Sequence, residues 1–332
     1  MAKVNLIAEI GGNHEGNFDY AIKLTDLAIS SAADSIKFQL YTGSSIANKL
    51  IDPSRFEHFS KFELTKNQHI EIANRCIKNG KEYLASVWDK EMLSWIDPYL
   101  ERYKVGSGDL TNKTLLYDFA KRGKPIILST GLSTFQEVIN SIEYIREVNP
   151  AYNDERKLSV MQCTSMYPIT DTDANLAVIS SLKNIDNITI GYSDHTVDSE
   201  ALYSAVILGA RVLEFHFTDT REGKEFRDHQ VSLQAEEVND LSKRINRFFK
   251  LFGSSEKVPL DIEIENGHVT SFRRALYLNQ DVKAGTTITK HMISSLRPNK
   301  GISAWDIDKL IGLKSKTEIS KLQILSYDMF EK

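Results

Sequence analysis

Cysteine is nearly absent: Cys76 and Cys163 are the only two in 332 residues. Two thiols cannot build a disulfide framework, and their scarcity points to a reducing compartment. Cys163 lies within an apolar run and reads as a small buried hydrophobe. A basic excess is lacking as well. The net charge of −4 removes the cationic face that nucleic acid or an anionic membrane requires. Any anionic ligand must therefore be held by a local cluster. No apolar run approaches the roughly 20 residues needed to span a bilayer. The N-terminus enters a strand pattern by residue 4, without the plan of a signal peptide. These absences predict a cytoplasmic globular protein with no nucleic-acid or membrane partner. The length suggests one large domain plus a small one.

What is present is a repeating strand and helix pattern. Strand-like runs occur at 5–10, 35–40, 83–88, 103–106, 125–130, 158–164, 188–192 and 212–217. Helical periodicity follows each, at 18–32, 65–78, 89–97, 113–122, to 148, 175–182, 197–209 and 235–251. Thr65 with Gln68, and Ser133 with Gln136, read as capping boxes. Residues 42–63 read as a long polar loop. Strands that alternate with helices must lie parallel, joined by right-handed crossovers. Eight such units in about 250 residues predict an α/β fold, a (β/α)8 TIM barrel over 1–253. An open doubly wound sheet is the rival. The turn Gly11-Gly12-Asn13-His14-Glu15-Gly16 lacks the glycine spacing that such a sheet would want. Residues 254–271 are polar and aperiodic and read as a linker. Residues 272–332, with short apolar runs and frequent turn signals, read as a small β-rich module.

In a barrel the C-terminal strand ends make the site. Read in order, those ends carry Glu15, Lys37, Gln39, Ser86, Lys104, Ser107, Asp109, Ser129, Tyr167, Ser193, Asp194, His195, Glu214 and His216. Polar side chains collected at one end of apolar strands are hard to explain as core. Lys104, Ser107, Ser86 and Ser129 come from neighbouring strands and suit a phosphate or carboxylate dianion. His195 and His216 end adjacent strands. With no third compact ligand they suit an open site for a divalent metal such as Mn2+ or Mg2+, completed by water and substrate.

Laid out in this way, the chain resembles the phosphoenolpyruvate-dependent nonulosonate synthases, the sialic acid synthase family. The stretches that carry the likeness are AEIGGNHEG (8–16), IKFQ (36–39), YKVGSGD (103–109), LSTG (128–131), QCTSMYP (162–168), GYSDHT (191–196) and GARVLEFHFT (209–218). RRALYLNQDVKAGTTIT (273–289) and LRPNKGI (296–302) look like that family's C-terminal antifreeze-like (SAF) domain.

The resemblance implies a condensation of phosphoenolpyruvate with an open-chain N-acyl hexosamine, giving a nine-carbon 2-keto sugar acid and phosphate. By motif, Ser86, Lys104, Ser107 and Ser129 would hold phosphoenolpyruvate. His195 and His216 would bind the metal, which would polarise the sugar aldehyde. Glu15 would be the acid/base that handles water, although it also sits where an acid complements a helix dipole. Lys37, Gln39, Tyr167, Ser193, Glu214 and Asp228 would line the substrate, and Arg297 would reach its sugar end. A domain-swapped homodimer is implied. The chain departs from the family at Ser165, Phe215, Phe226-Arg227 before Asp228, and Asn299-Lys300 after Arg297-Pro298. All lie near the sugar side or its support. They leave N-acetylmannosamine, a diacetamido-trideoxyhexose or another sugar open as acceptor. A metal-dependent barrel aldolase or lyase, or a non-catalytic sugar-binding relative, is the alternative.

Overall fold

The computed structural model describes residues 3–332. Eight strands, β1 (Asn5–Glu9), β2 (Ser35–Leu40), β3 (Glu82–Val87), β4 (Tyr103–Val105), β5 (Ile126–Ser129), β6 (Leu158–Cys163), β7 (Thr189–Asp194) and β8 (Val212–His216), pair in parallel in chain order. β1 pairs with β8, with Glu9 opposite His216, and this closes the barrel. The expected (β/α)8 architecture is therefore the observed one.

Helices α1 (Phe18–Ser30), α2 (Gly43–Ile46), α3 (Pro53–Lys61), α4 (Lys66–Lys78), α5 (Lys90–Ile96), α6 (Lys113–Arg122), α7 (Phe135–Val148), α8 (Val178–Leu182), α9 (Glu200–Leu208) and α10 (Ala235–Phe252) follow from local signals. Asn17 caps α1 by accepting from the Tyr20 N–H, and α1 buries Ala21, Leu24, Thr25 and Ala28. The Thr65/Gln68 capping box opens α4. α7 starts one residue later than the sequence suggests. Thr134, not Ser133, is its N-cap, because the Glu137 carboxylate accepts from the Thr134 N–H at 2.7 Å and is a stronger acceptor than the Gln136 amide. The stretch expected as a polar loop, 42–63, holds α2 and α3. Thr42 and Ser45 form a capping box, and Asp52 caps a helix with Pro53 in its first turn.

The barrel interior is layered. Ile7, Leu84, Ile127, Met161 and Val212 form a buried apolar cluster of their own, separate from the strand–helix core. Each contributes about 1.5–3 kcal/mol by leaving water. Met161 fits because β7 offers a glycine there. A Cβ on Gly191 would fall 2.8 Å from Met161 Cγ and 2.7 Å from the Val212 carbonyl oxygen. Side chains alternate along a strand, so the residues two positions further on face the same interior at its C-terminal end.

From Gly253 onward the chain forms a second unit. The stretch expected to be a linker holds two short helices, α11 (Asp261–Glu265) and α12 (His268–Ser271). No core dictates their periodicity, since neither helix has a buried residue. Two antiparallel pairs follow, β9 (Ala275–Leu278) with β10 (Ile293–Leu296), and β11 (Lys314–Ser315) with β12 (Phe330–Glu331). Leu276, Leu278, Val282, Ile288, Leu310 and Phe330 are in its small core. Among the described residues no helix is long and apolar enough to cross a membrane.

Candidate active site

Above the apolar plug the barrel opens into a cavity of about 490 Å³. Two residues on from Ile7, Leu84, Ile127, Met161 and Val212 stand Glu9, Ser86, Ser129, Cys163 and Glu214, and all five line it. Lys37, Gln39, Lys104, Ser107, Tyr167, Ser193, His195 and His216 line it too.

Two buried lysines and two buried glutamates form its floor. Lys104 Nζ donates to Ser129 Oγ at 2.7 Å and stands 3.4 Å from Glu214 Oε1. Lys37 Nζ is 2.6 Å from Glu9 Oε2 and 3.7 Å from Glu214 Oε2. Gln39 donates to Glu9 at 2.9 Å and Ser193 to Glu214 at 3.1 Å. Burial works against the charges of Lys104, Lys37 and Glu214. It holds Lys104 below its ordinary pKa, whereas on Lys37 it is outweighed by Glu214 and Glu9. On Glu214 burial is outweighed by Lys104 and Lys37, which leave the carboxyl below its usual range.

Beside this floor, Ser107 Oγ accepts from the Gly131 N–H at 3.1 Å. A Cβ on Gly131 would lie 2.4 Å from Ser165 Oγ and 2.8 Å from Ser107 Oγ, so only glycine allows this approach. Hydroxyls and one ammonium thus converge on a space suited to an oxyanion.

On the other wall, His195 and His216 stand with ring centroids 5.4 Å apart, and the Tyr167 ring lies 4.0 Å from His195. His195 Nδ1 is 2.6 Å from the Thr164 carbonyl, which fixes the proton on Nδ1 and makes Nε2 the nitrogen with a lone pair for a metal. His216 Nδ1 is buried with no hydrogen-bond partner and stands 3.8 Å from Asp228 Oδ2. Rings sharing one ion at about 2.1 Å per nitrogen have centroids roughly 5 Å apart. The pair therefore fits a two-histidine metal site. Among the described residues no group of three His, Cys, Asp or Glu side chains could hold an ion, so water and substrate would have to complete the shell.

Not every expected residue meets at the cavity. Glu15 is not in its wall. Its carboxylate lies 3.3 Å from His229 Nε2, and its backbone is left-handed at φ 51° because it sits in the turn before α1. Asp228 is buried behind His216. Arg297 belongs to the second unit, where its guanidinium lies 5.1 Å from the Phe272 ring. Conversely, the cavity includes residues that sequence reasoning passed over. Glu9 is hidden in the apolar run of β1. Cys163, expected as plain core, is buried but meets His195, Ser193 and Ser107 at the cavity wall. Ile46, Arg55 and Phe59 reach the cavity from the segment expected to be a loop.

The NeuB family model matches residues 24–257, and the SAF domain model matches residues 273–331. The chain belongs to the NeuB family. It is 30% identical to an N,N'-diacetyllegionaminic acid synthase of Legionella pneumophila, over 98% of this chain and 94% of that protein. It is 31% identical to a pseudaminic acid synthase of Campylobacter jejuni, over 96% and 94%. Among solved structures it resembles an N-acetylneuraminic acid synthetase of Leptospira borgpetersenii in complex with citrate. The TM-score there is 0.73 with 28% identity, covering 80% of this chain and 90% of that one. The small module is thus a SAF domain, following the barrel as the sequence suggested.

Proposed function

We propose that this NeuB-family protein is a nonulosonate synthase. It condenses phosphoenolpyruvate with an N-acyl hexosamine to a nine-carbon 2-keto sugar acid and releases phosphate. The observation that carries this reading is the juxtaposition inside one barrel of an oxyanion cradle and a two-histidine wall. A simple hydrolase would not need both.

In this reading Lys104, Ser86, Ser107 and Ser129 bind phosphoenolpyruvate. Its methylene carbon bonds to the aldehyde carbon of the open-chain sugar, and water adds at the enol carbon. Phosphate then leaves that carbon, and the aldehyde oxygen becomes a hydroxyl. His195 and His216 would hold a divalent cation such as Mn2+ or Mg2+, which when bound supplies Lewis-acid polarisation of the aldehyde. Glu9 takes the acid/base role that motif reasoning gave to Glu15, because Glu9 lines the cavity and Glu15 does not. Lys37, 2.6 Å from its carboxylate, orients Glu9. Gln39, Tyr167, Ser193 and Glu214 shape the space above phosphoenolpyruvate. Asp228, 3.8 Å from His216 Nδ1, is the carboxylate nearest that ring nitrogen and acts on it by charge.

A homodimer, with Arg297 acting on the acceptor, belongs to the same reading. It is supported by exposed apolar side chains in the second unit, Leu260 at 61% and Ile262 at 67%, which a second copy would cover. Light scattering at twice the chain mass, and a raised acceptor KM in Arg297→Ala, would bear it out. The overall function is tested by phosphoenolpyruvate consumption with Mn2+ and a panel of N-acyl hexosamines. Turnover that depends on one of the sugars is expected. Consumption that ignores the sugar contradicts the reading.

A further inference from the structure

Two arginines of the cavity have no part in the reaction just described. Arg55 on α3 and Arg227, which follows β8, both line it. Arg55 Nε stands 3.8 Å from Asp52 Oδ2, and Arg227 Nε 3.4 Å from Asp228 Oδ1. Both separations exceed a good charge-assisted hydrogen bond. Among the described residues, neither guanidinium donates a hydrogen bond within the protein.

Their depth separates them from the floor. The Arg55 and Arg227 side chains are 68% and 64% exposed, against 4% for Lys37 and 2% for Lys104. The lysines are also neutralised, by Glu9 and Glu214. The arginines, whose carboxylate partners stand off at 3.8 and 3.4 Å and leave their N–H donors unfilled, therefore offer free cationic donors toward the mouth of the cavity. They share one side of it. Phe226, next to Arg227, packs with its ring 6.2 Å from that of His58 on α3, the helix that carries Arg55. Arg227 also lies 4.8 Å over the Tyr167 ring, which in turn packs 4.0 Å from His195. Stacking fixes the guanidinium plane and leaves its edge donors for a ligand. That places Arg227, far more exposed than the buried His195, on the outer side of the histidine wall where the acceptor's aldehyde would be activated.

We propose that the acceptor sugar carries an anionic substituent, a phosphate ester or a carboxylate, at the end remote from its aldehyde, and that Arg55 and Arg227 bind it. This rests on the synthase reading above. A planar fork matches either oxyanion. The neutral 6-deoxy diacetamido hexoses offer these two residues only uncharged acceptors and no anion to pair with.

The test compares acceptors that differ only at the remote end: N-acetylmannosamine, its 6-phosphate, its 6-carboxylate, and a diacetamido-trideoxyhexose. Phosphoenolpyruvate loss is followed with Mn2+ present. One anionic acceptor should exceed its neutral counterpart in kcat/KM by about tenfold or more. That ratio should shrink toward unity in Arg55→Gln and in Arg227→Gln, and shrink with added KCl in the native enzyme. Because the readout is a ratio, a variant that merely folds less well leaves it unchanged. A neutral acceptor used as well as the anionic ones overturns the inference, as does an anionic preference that survives both substitutions. In either case sugar-dependent consumption would leave the synthase reading standing. No consumption with any acceptor overturns both.

Discussion

Lys37 Nζ and Glu9 Oε2 stand 2.6 Å apart at the C-terminal end of the barrel, with their side chains only 4% and 2% exposed. A buried ion pair of this kind costs desolvation and is weak evidence for stability. Its value is a carboxylate held in one orientation at the cavity wall. Glu9→Gln should therefore lower kcat by roughly 10²–10⁴-fold, the range for loss of a general acid/base. Glu15→Gln should lower it by less than about tenfold, since that carboxylate points at His229. Steady-state kinetics of the two variants decide the assignment. The reverse order would return the role to Glu15.

Glu9 escaped the sequence reading for a physical reason that also shows how it could have been found. The run NLIAEI reads as a strand whatever its fifth residue faces. Only closure of the barrel puts Ile7 inside, and with it Glu9, two residues on. The same step of two leads from Leu84 to Ser86, Ile127 to Ser129 and Val212 to Glu214. The last three were found because they stand at strand ends beside other polar groups. The eight strands themselves were legible because apolar runs and helical periodicity alternate without interruption. Helices α2 and α3 were not, since they have few or no buried residues to mark a periodicity and are held by caps such as Asp52-Pro53. Arg227 was noticed as a departure from the family pattern, but its place over Tyr167 is a tertiary fact.

Ser129 accepts the one short hydrogen bond that Lys104 makes to a side chain. Ser129→Ala should leave that buried ammonium one partner short. The expected stability loss is about 1–3 kcal/mol. Phosphoenolpyruvate binding should weaken several-fold, because the substrate loses a donor. Urea unfolding and calorimetric titration with phosphoenolpyruvate measure the two effects. Unchanged binding would remove Ser129 from the cradle.

The metal reading has its own readout apart from activity. Chelator-treated protein should bind one Mn2+ per chain, seen as loss of the free-ion paramagnetic resonance signal. His195→Ala and His216→Ala should each weaken that binding by at least about 100-fold, as expected when one of only two protein ligands is lost. Full binding in both variants would place the ion elsewhere.

His14 and His69 flank Phe38, at 6.1 and 6.3 Å between ring centroids. Burial lowers their pKa values to about 4 and about 3. His14 Nδ1 accepts from the Gly16 N–H, a bond that needs the neutral ring. Unfolded histidine titrates near about 6.5. Below that pH the unfolded chain takes up protons that the native state refuses. Their stabilisation is therefore complete above about pH 6.5 and declines as pH falls toward 4. His14 alone accounts for about 3 kcal/mol of that decline. In His14→Asn, whose side-chain oxygen can still accept from Gly16, the slope of stability against pH between 6.5 and 4.5 should flatten. Urea midpoints at three pH values test this. A slope parallel to the native one would mean that His14 is protonated in the folded protein.

The central claim is that one cavity makes a carbon–carbon bond from phosphoenolpyruvate. The most direct measurement supplies phosphoenolpyruvate labelled with ¹³C at its methylene carbon, together with Mn2+ and the acceptor that supports turnover. The label should appear as the methylene next to the ketone carbon of a nine-carbon acid, with one phosphate released per label incorporated. Phosphate released with the label left in pyruvate would make the protein a phosphatase and contradict the account.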